Sequence, residues 1–331
     1  MNQESISVSI AGTGSYIPEK TLTNADLETM VDTTDEWITT RTGIKARHIA
    51  NDKETNSYMA TQAAKAALEN ANLTAADIDQ IIVATVTPDT IMPATATYVQ
   101  HQLGATQAFA FDISAACSGY LYAMQIAKNA IEAGSAQRVL IIGSEKLSSF
   151  VDWTDRATCV LFGDGASAAV ITKAKEGDGA ILALEMGTDG AQTEILKIPG
   201  GGSSCPTTVD NAGDRLATLK MEGQEVFKHA VNRMKVAANT VVEKAGLTSD
   251  DIAQVIPHQA NLRIIDAIAK RLSVSRDKVF VNLDKYGNTS AAAVAIALDE
   301  AQRSGKFKRG DHIVLVVFGA GLTWAAAAIR W

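Results

Sequence analysis

Cysteine, aromatic residues and long hydrophobic runs are all scarce in this chain of 331 residues. Its three cysteines are widely spaced and form no Cys-x-x-Cys pair, which argues against a disulfide framework or a zinc site and favours a reducing compartment. No apolar run reaches the roughly 18–20 residues that span a bilayer, and residues 1–5 lack the basic start and apolar core of a signal peptide. We therefore expect a cytoplasmic protein without a membrane span.

An excess of basic charge is also absent, since 30 Lys and Arg residues stand against 37 Asp and Glu residues and the net charge is −7. No global positive field is therefore available to attract nucleic acid. Hydrophobic residues make up 47% of the chain and charged residues 20%, which is the balance of an ordinary globular protein. This length suits one large domain or two medium ones.

Two segments of the chain resemble each other closely. Residues 69–82 and 243–256 are identical at eight of 14 positions, and each predicts a helix end, a Leu-Thr turn and a core strand. Downstream, each half continues with a strand, an apolar helix and a further strand, the first of these in the second half being predicted over residues 280–283. A repeat that is used only twice indicates a duplicated domain. We place the two halves at residues 1–174 and 175–331.

Cys117 lies where a predicted core strand, residues 108–113, leads into a helix that is apolar on nearly all sides. A thiol in the first turn of a buried helix feels the positive end of the helix macrodipole, which favours the thiolate. The alternative is a small hydrophobe in a tight turn. Asn288 takes the corresponding place in the second half, where the alternative is a helix N-cap. A pseudo-twofold axis would pack the two helices together and turn both residues toward one cavity.

His258 has the most suggestive position among the five histidines. It follows a predicted strand, residues 254–257, and precedes a helix, and strand ends of this kind carry the sites of open α/β sheets. The alternative is a hydrogen-bonded structural histidine. Residues 318–324 predict a tight turn between two apolar strands, which either donates backbone amides to an oxyanion or merely joins the strands.

Four short motifs follow one another along the chain, and several further segments accompany them. The motifs are residues 115–119 (Ala-Ala-Cys-Ser-Gly), 257–261 (Pro-His-Gln-Ala-Asn), 286–290 (Tyr-Gly-Asn-Thr-Ser) and 318–321 (Phe-Gly-Ala-Gly), and the further segments are residues 35–38, 41–44 and 162–166. In this order they resemble the β-ketoacyl-acyl carrier protein synthase III family over essentially the whole chain. The resemblance implies an α/β thiolase fold, a duplicated five-layer α-β-α-β-α architecture with two buried central helices, in a homodimer.

Carried over position by position, the resemblance implies a Cys-His-Asn triad. Cys117 is then the acyl-accepting nucleophile, completed by His258 and Asn288, and the backbone N–H groups of Cys117 and Ala320 form an oxyanion hole. Three further groups are implied: Trp37, Arg41 and Arg156 for coenzyme A; Leu147, Phe162, Met221, Phe227, Phe318 and, from the partner subunit, Met92 for the acyl pocket; Lys228, Arg263, Lys270 and Arg271 for the carrier protein.

The resemblance also implies the reaction that starts fatty acid synthesis. An acyl group, with acetyl expected first, passes from acyl-CoA to Cys117, and malonyl-acyl carrier protein then condenses with it. The products are 3-ketoacyl-acyl carrier protein, CoA and carbon dioxide. No metal or redox cofactor is required, because the coenzyme A thioester is a substrate. Two alternatives stay open: a condensing enzyme of secondary metabolism, of the quinolone or polyketide-starter type, and a non-catalytic scaffold that binds carrier proteins.

Overall fold

Two β-sheets, one from each half of the chain, frame the computed structural model, which describes residues 6–331. Residues 1–5, where no signal segment is predicted, lie outside the described residues. In chain order the strands are β1 (Val8–Tyr16), β2 (Thr21–Thr23), β3 (Ala46–His48), β4 (Gln80–Ala84), β5 (Phe109–Ile113), β6 (Arg138–Lys146), β7 (Asp164–Lys173), β8 (Ala180–Thr188), β9 (Leu196–Lys197), β10 (Lys220–Met221), β11 (Ile252–Pro257), β12 (His312–Gly319) and β13 (Thr323–Arg330).

The two main sheets repeat the same strand order. The first runs β1-β7-β6-β4-β5, and the second runs β8-β13-β12-β11 in the equivalent direction. In the first sheet β4 is parallel to β5 and β6, and β7 is antiparallel to β1 and β6. In the second sheet β11 is parallel to β12, and β13 is antiparallel to β12 and β8. The duplication predicted from the sequence is therefore visible in the pairing of the strands.

The place equivalent to β5 is occupied differently in the second half. Val279 forms a single parallel bridge with Val255 of β11, and the next residue, Phe280, donates its N–H to the Val255 carbonyl. The strand predicted over residues 280–283 is wrong, because a short helix already begins at Leu283. The extended chain is cut short there, so this sheet has only the start of a fifth strand.

The helices form three layers, one outside each sheet and one between the sheets. Helices α3 and α4 cover the first sheet, α6 packs on the second sheet with α7 beside it, and α5 and α9 contact strands of both sheets. This is the five-layer arrangement predicted from the resemblance. In chain order the helices are α1 (Asn24–Glu28), α2 (Asp35–Thr42), α3 (Asn56–Asn70), α4 (Thr95–Leu103), α5 (Gly119–Glu132), α6 (Gly223–Lys244), α7 (Leu262–Arg271), α8 (Leu283–Tyr286) and α9 (Ala293–Arg303).

The central strands are continuous apolar runs because both faces of each sheet are covered by helices. Every residue of β4 is buried, and so are all residues of β12 apart from the first. The two central helices are also mostly buried, and small residues such as Ala123 and Ala297 let them pack closely between the sheets. No helix among residues 6–331 is long and apolar enough to cross a bilayer.

Each central helix is entered through one 3₁₀ turn, over Ala116–Ser118 before α5 and over Ser290–Ala292 before α9. The first residue of each turn has a left-handed φ, 47° at Ala116 and 49° at Ser290. This match makes Ala291 the counterpart of Cys117. The predicted pairing of Cys117 with Asn288 is therefore wrong by three residues. The two turns have no identical residue to align, so the sequence repeat does not fix which residue of one turn corresponds to which residue of the other.

Residues 174–179 connect β7 of the first sheet to β8 of the second. The predicted boundary between residues 174 and 175 lies in this link, and the division of the chain into two domains stays a prediction. The halves are in extensive contact, because β1 meets β8 and both central helices touch both sheets.

Candidate active site

A cavity of about 360 Å³ with mostly apolar walls brings the predicted triad together. Cys117, His258 and Asn288 all line it, and so does Ala320 of the predicted oxyanion hole. Residues 6–331 contain no group of three or more His, Cys, Asp and Glu side chains that could hold a metal ion. Five of the six predicted acyl-pocket residues also lie in the wall: Leu147, Phe162, Met221, Phe227 and Phe318.

Cys117 lies in the 3₁₀ turn that leads into α5, and it is only 8% exposed. Burial raises the pKa of its thiol to about 12, and the hydrogen bond with the Ser290 side chain offsets only part of this rise. The nearby charge of Glu145 raises the pKa further. The predicted thiolate is therefore wrong for this buried environment, because desolvation outweighs a helix-end effect of at most about 2 kcal/mol.

His258 directly follows β11, as predicted, and its backbone N–H donates to the Val316 carbonyl at 2.8 Å. The next residue, Gln259, donates its side-chain amide to the Pro257 carbonyl and accepts from the Asn282 N–H, so both sides of the loop are held. Burial lowers the pKa of His258 to about 4. Its imidazole is therefore neutral at physiological pH and offers one N–H donor and one lone pair.

Asn288 is held from both halves of the molecule. Its backbone N–H donates to the Leu161 carbonyl at 2.8 Å, and its carbonyl accepts from the Gly163 N–H at 3.1 Å, which makes a parallel bridge with Phe162. Its Oδ1 accepts from the Ser290 N–H at 2.9 Å. Because the oxygen is engaged in capping this turn, the side-chain –NH₂ is left to donate into the cavity.

The turn between β12 and β13 lies directly against Cys117, the predicted nucleophile. A Cβ placed on Gly319 would lie 2.6 Å from the Cys117 nitrogen, closer than side chains approach a backbone. The Thr323 hydroxyl donates to the carbonyls of Ala115 and Ala320, at 2.9 and 3.1 Å, and so joins this turn to the Cys117 turn. A glycine is required here for close approach, and the approach brings Ala320 to the wall beside the thiol.

Glu145 and Ser290 are near Cys117, and the sequence interpretation gave neither a role. Ser290 was quoted only as the last residue of a motif, and Glu145 ends the apolar run of β6. Glu145 is completely buried, and Ser290 donates its hydroxyl to the Glu145 Oε1 at 3.0 Å. A lone carboxylate at the carboxyl end of a core strand is the signal that could have identified it.

The three residues predicted to hold coenzyme A form one cluster on the surface. The guanidinium carbons of Arg41 and Arg156 lie 4.9 and 5.0 Å from the centre of the Trp37 ring. Arg156 also donates to the Asp32 carbonyl at 2.6 Å. The N-cap residue of α7, Asn261, donates its amide to the Arg41 carbonyl at 3.2 Å, which links this cluster to an element that lines the cavity.

The predicted carrier-protein residues are exposed cations, and one of them, Arg263, contacts the segment that carries Arg41. Arg263, Lys270 and Arg271 are exposed on α7, and Arg263 donates to the Thr40 carbonyl at 3.2 Å. Lys228 is exposed on α6 and pairs with Glu225 at 2.6 Å.

Met92, the sixth predicted acyl-pocket residue, is 85% exposed and lies outside the cavity of its own chain. Its predicted role concerned the partner subunit, so the assignment stays a prediction.

Comparison with known proteins places the chain in a family. The model for 3-oxoacyl-[acyl-carrier-protein] synthase III matches residues 111–190, and the model for its C-terminal part matches residues 242–331. A β-ketoacyl-[acyl-carrier-protein] synthase III of Caldanaerobacter subterraneus is 57% identical over 99% of both chains.

Solved structures agree over the whole length. The 3-oxoacyl-[acyl-carrier-protein] synthase III of Aquifex aeolicus VF5 is 52% identical, with a TM-score of 0.91, over 98% of this chain and 100% of that one. A priming β-ketosynthase from the R1128 polyketide biosynthetic pathway is 38% identical, with the same TM-score of 0.91, over 99% of this chain and 97% of that one. With 57% identity over nearly its full length to a named member, the chain belongs to the β-ketoacyl-[acyl-carrier-protein] synthase III family of condensing enzymes.

Proposed function

We propose that Cys117 carries the acyl group, and that His258 and Asn288 serve its condensation with malonyl-acyl carrier protein. The enzyme is an acyltransferase that starts fatty acid synthesis, as its family does. The observation that carries the residue roles is the convergence of these three side chains, from separate parts of the chain, on one apolar cavity of about 360 Å³. The reaction needs no metal or redox cofactor, because the thioester already carries an activated acyl group.

In the first half-reaction the Cys117 sulfur attacks the thioester carbonyl of acyl-CoA. The negative charge that develops on the carbonyl oxygen needs N–H donors, and the backbone amides of Cys117 and Ala320 are proposed as those donors. Gly319, which precedes Ala320, closely approaches the Cys117 nitrogen, and this contact supports placing the two amides side by side. CoA then leaves, and the acyl group remains on the enzyme.

In the second half-reaction the malonyl thioester loses carbon dioxide and becomes an enolate. The neutral imidazole of His258 and the side-chain –NH₂ of Asn288 can both donate to the enolate oxygen. Both donors are neutral, so neither offers the acidic proton of an imidazolium, which would readily protonate the carbanion. The carbanion attacks the acyl group on Cys117, which releases the 3-ketoacyl product and leaves the Cys117 thiolate. A proton taken up from solvent then restores the thiol.

The substrates approach from the surface that carries the cluster of Trp37, Arg41 and Arg156. An aromatic ring with two guanidinium groups suits an adenine that carries phosphates. The exposed cations of α7 and Lys228 suit an acidic carrier protein, although the chain as a whole is acidic. The small apolar cavity favours short primers, with acetyl first.

We also propose a homodimer in the cytoplasm. Each residue of the edge strand β5 keeps some exposure, and Phe109 is 57% exposed, which is unusual for a strand of a central sheet. A second copy that pairs with this edge would cover it. The exposed Met92 would then be available to the partner's cavity, and three unpaired thiols suit a reducing compartment.

Mass spectrometry of the intact protein after incubation with acetyl-CoA tests the proposal. We expect one acetyl adduct on Cys117, no adduct on Cys117→Ala, and release of carbon dioxide when malonyl-acyl carrier protein is added. Competition among acyl-CoAs in a single turnover then ranks the primers. If no acyl-CoA leaves an adduct, the nucleophile assignment fails and the carrier-protein scaffold takes its place.

A second candidate is priming of a polyketide pathway. The 38% identity with a priming polyketide β-ketosynthase over nearly the whole chain supports it. The 57% identity with a fatty acid relative favours the first proposal. A purified carrier protein of fatty acid synthesis, compared with a polyketide carrier protein as the malonyl donor, separates the two candidates.

A further inference from the structure

Glu145 is a buried carboxylate that the proposed reaction does not use. It is 0% exposed at the end of β6, and no ion pair among residues 6–331 includes it. Its oxygens accept only neutral donors, namely the hydroxyls of Thr85, Thr87 and Ser290 at 3.1, 2.6 and 3.0 Å and the Val86 N–H at 3.1 Å. A buried acid without a cation is costly to keep ionised, so its presence calls for a reason.

Ser290 lies between this carboxylate and the nucleophile. Its hydroxyl donates to the Glu145 Oε1 at 3.0 Å. Ser290 and Cys117 both line the cavity, and the two 3₁₀ turns that carry them are in contact, so this hydroxyl lies near the thiol. Its backbone has a φ of 49°, a left-handed conformation that is uncommon for residues other than glycine. Ala116 has nearly the same φ at the equivalent turn, so this conformation belongs to the turn that precedes each central helix.

We infer that Ser290 and Glu145 form a proton relay for Cys117, in which Glu145 holds the thiol proton while the acyl group is transferred. This inference rests on the proposed role of Cys117 as the acyl carrier and adds a base for its activation. Ser290 is the residue in contact with the reacting sulfur, and Glu145 acts through it.

The relay balances over the first half-reaction. The Cys117 S–H proton passes to the Ser290 Oγ while the Ser290 hydroxyl proton passes to the Glu145 Oε1. The sulfur electron pair forms the bond to the acyl carbon, the bond between that carbon and the CoA sulfur breaks, and its electron pair leaves with CoA. The proton then returns from Glu145 through Ser290 to the CoA sulfur, which leaves as the thiol.

The pKa values of the neighbouring groups favour transfer of the thiol proton toward Glu145 over transfer toward His258. Burial raises the pKa of Glu145 to about 7, whereas burial lowers the pKa of His258 to about 4. Glu145 is therefore the stronger base of the two groups near a thiol whose pKa is about 12. Cys117 is the titratable group that faces Glu145 from the opposing turn, and on β6 the Lys146 ammonium turns away to the carbonyls of Asn51 and Glu54.

Two variants separate the relay from a structural role. Glu145→Gln keeps the shape but cannot accept the proton, and Ser290→Ala removes the hydroxyl while keeping the N–H that holds Asn288. Alanine suits this backbone, because Ala116 has nearly the same φ at the equivalent place. We expect acetylation of Cys117 in a single turnover to slow by on the order of 10²-fold or more in both variants.

The dependence on pH and on solvent isotope is the decisive measurement. The relay needs ionised Glu145, so the acetylation rate of the natural enzyme should rise as the pH passes about 7. It should also fall in heavy water. Both the rise and the isotope effect should be absent in Glu145→Gln and in Ser290→Ala.

Glu54→Gln is the matched control. Glu54 is also buried and accepts from the Tyr16 hydroxyl at 2.6 Å, but it lies outside the cavity wall. We expect this variant to acetylate at the natural rate. If either relay variant acetylates at the natural rate, or keeps the rise near pH 7, the relay is overturned.

Should Glu145→Gln not fold, Ser290→Ala decides alone by the same readouts. The absence of any adduct in the natural enzyme would overturn the relay together with the proposed function. If the natural enzyme forms the adduct and both variants form it at the same rate, only the relay fails and the proposed function stands.

Discussion

Burial acts on the side chains of the cavity in different directions. It lowers the pKa of His258 to about 4 and raises those of Cys117 and Glu145 to about 12 and about 7. In each case the cause is the same, because a dry environment disfavours the charged form. At physiological pH the Cys117 thiol and the His258 imidazole are therefore both neutral at rest, whereas Glu145 changes its charge near pH 7.

Removing the amide of Asn288 should separate the two half-reactions. In Asn288→Ala we expect acetylation of Cys117 within a few-fold of the natural rate, and condensation slowed by on the order of 10²–10³-fold, the usual cost of losing one oxyanion donor. Mass spectrometry should find the acetyl-enzyme accumulating while carbon dioxide release is low. Asn129→Ala, on the exposed side of α5, is the control. An equal loss in both half-reactions would contradict the assigned role.

The condensation step should be insensitive to pH over a wide range. The pKa of His258 is lowered from 6.5 to about 4, so the neutral imidazole persists as the pH falls below 6.5. Starting from the preformed acetyl-enzyme, we expect the single-turnover rate with malonyl-acyl carrier protein to stay level from pH 8 to about 5. It should decline only as the pH nears 4. A midpoint near 6.5 would mean that His258 titrates like an exposed histidine.

The triad residues could be predicted from the sequence, because a thiol, an imidazole and an amide stood in ordered motifs. For Glu145 the only signal was its place at the end of an apolar strand, and that signal gives no role, since a single acid there can face either side of the sheet. The state of the Cys117 thiol was also beyond the sequence. The effect of the helix end on the thiol can be predicted from the order of the elements along the chain. The desolvation of the thiol depends on cavity walls that both halves of the chain contribute.

The turn between β12 and β13 should not tolerate a side chain in place of Gly319. An added Cβ would lie 2.6 Å from the Cys117 nitrogen and 3.2 Å from the Ala116 Cβ, so Gly319→Ala must displace the nucleophile's turn. We expect acetylation to slow by at least about tenfold, with a stability loss of about 1–3 kcal/mol from overpacking. Gly213→Ala is the control, because no atom lies near its added Cβ. Acetylation at the natural rate in Gly319→Ala would show that the turn can move without cost.

Helix α7 should contribute to carrier-protein binding through Lys270. Reversal of its charge in Lys270→Glu should raise the KM for malonyl-acyl carrier protein several-fold and leave the KM for acetyl-CoA unchanged. Arg263 is less suitable for this test, because it also donates to Thr40 beside the coenzyme A cluster. The control is Lys175→Glu, on the exposed link between the sheets. Equal changes in both KM values would contradict the docking role, and high salt should reduce the difference.

Repetition in the sequence predicted most elements of the second half correctly, but not all of them. The repeat around residues 69–82 and 243–256 led to the equivalent strands β4 and β11. It could not predict that the next strand would end after a single bridge at Val279, or that Ala291 would correspond to Cys117. Both depend on how the turns before the central helices pack, which the identity of individual residues does not reveal.

The assembly of the whole molecule should depend on the edge strand β5. We expect Phe109→Lys to convert the proposed dimer to a monomer in light scattering, since a charged residue replaces an aromatic one that is 57% exposed on an edge strand. Val236→Lys, on the exposed side of α6, changes a residue of similar exposure and should leave the natural mass unchanged. A dimer in both variants would mean that another surface joins the subunits.

The bridge between Phe162 and Asn288 has a mechanical consequence for the whole molecule. It attaches the backbone of Asn288, in the second half, to the first half, which also carries the Cys117 thiol. The position of the Asn288 amide relative to that thiol is therefore set partly by backbone hydrogen bonds to the first half, and not by the packing of the two sheets alone.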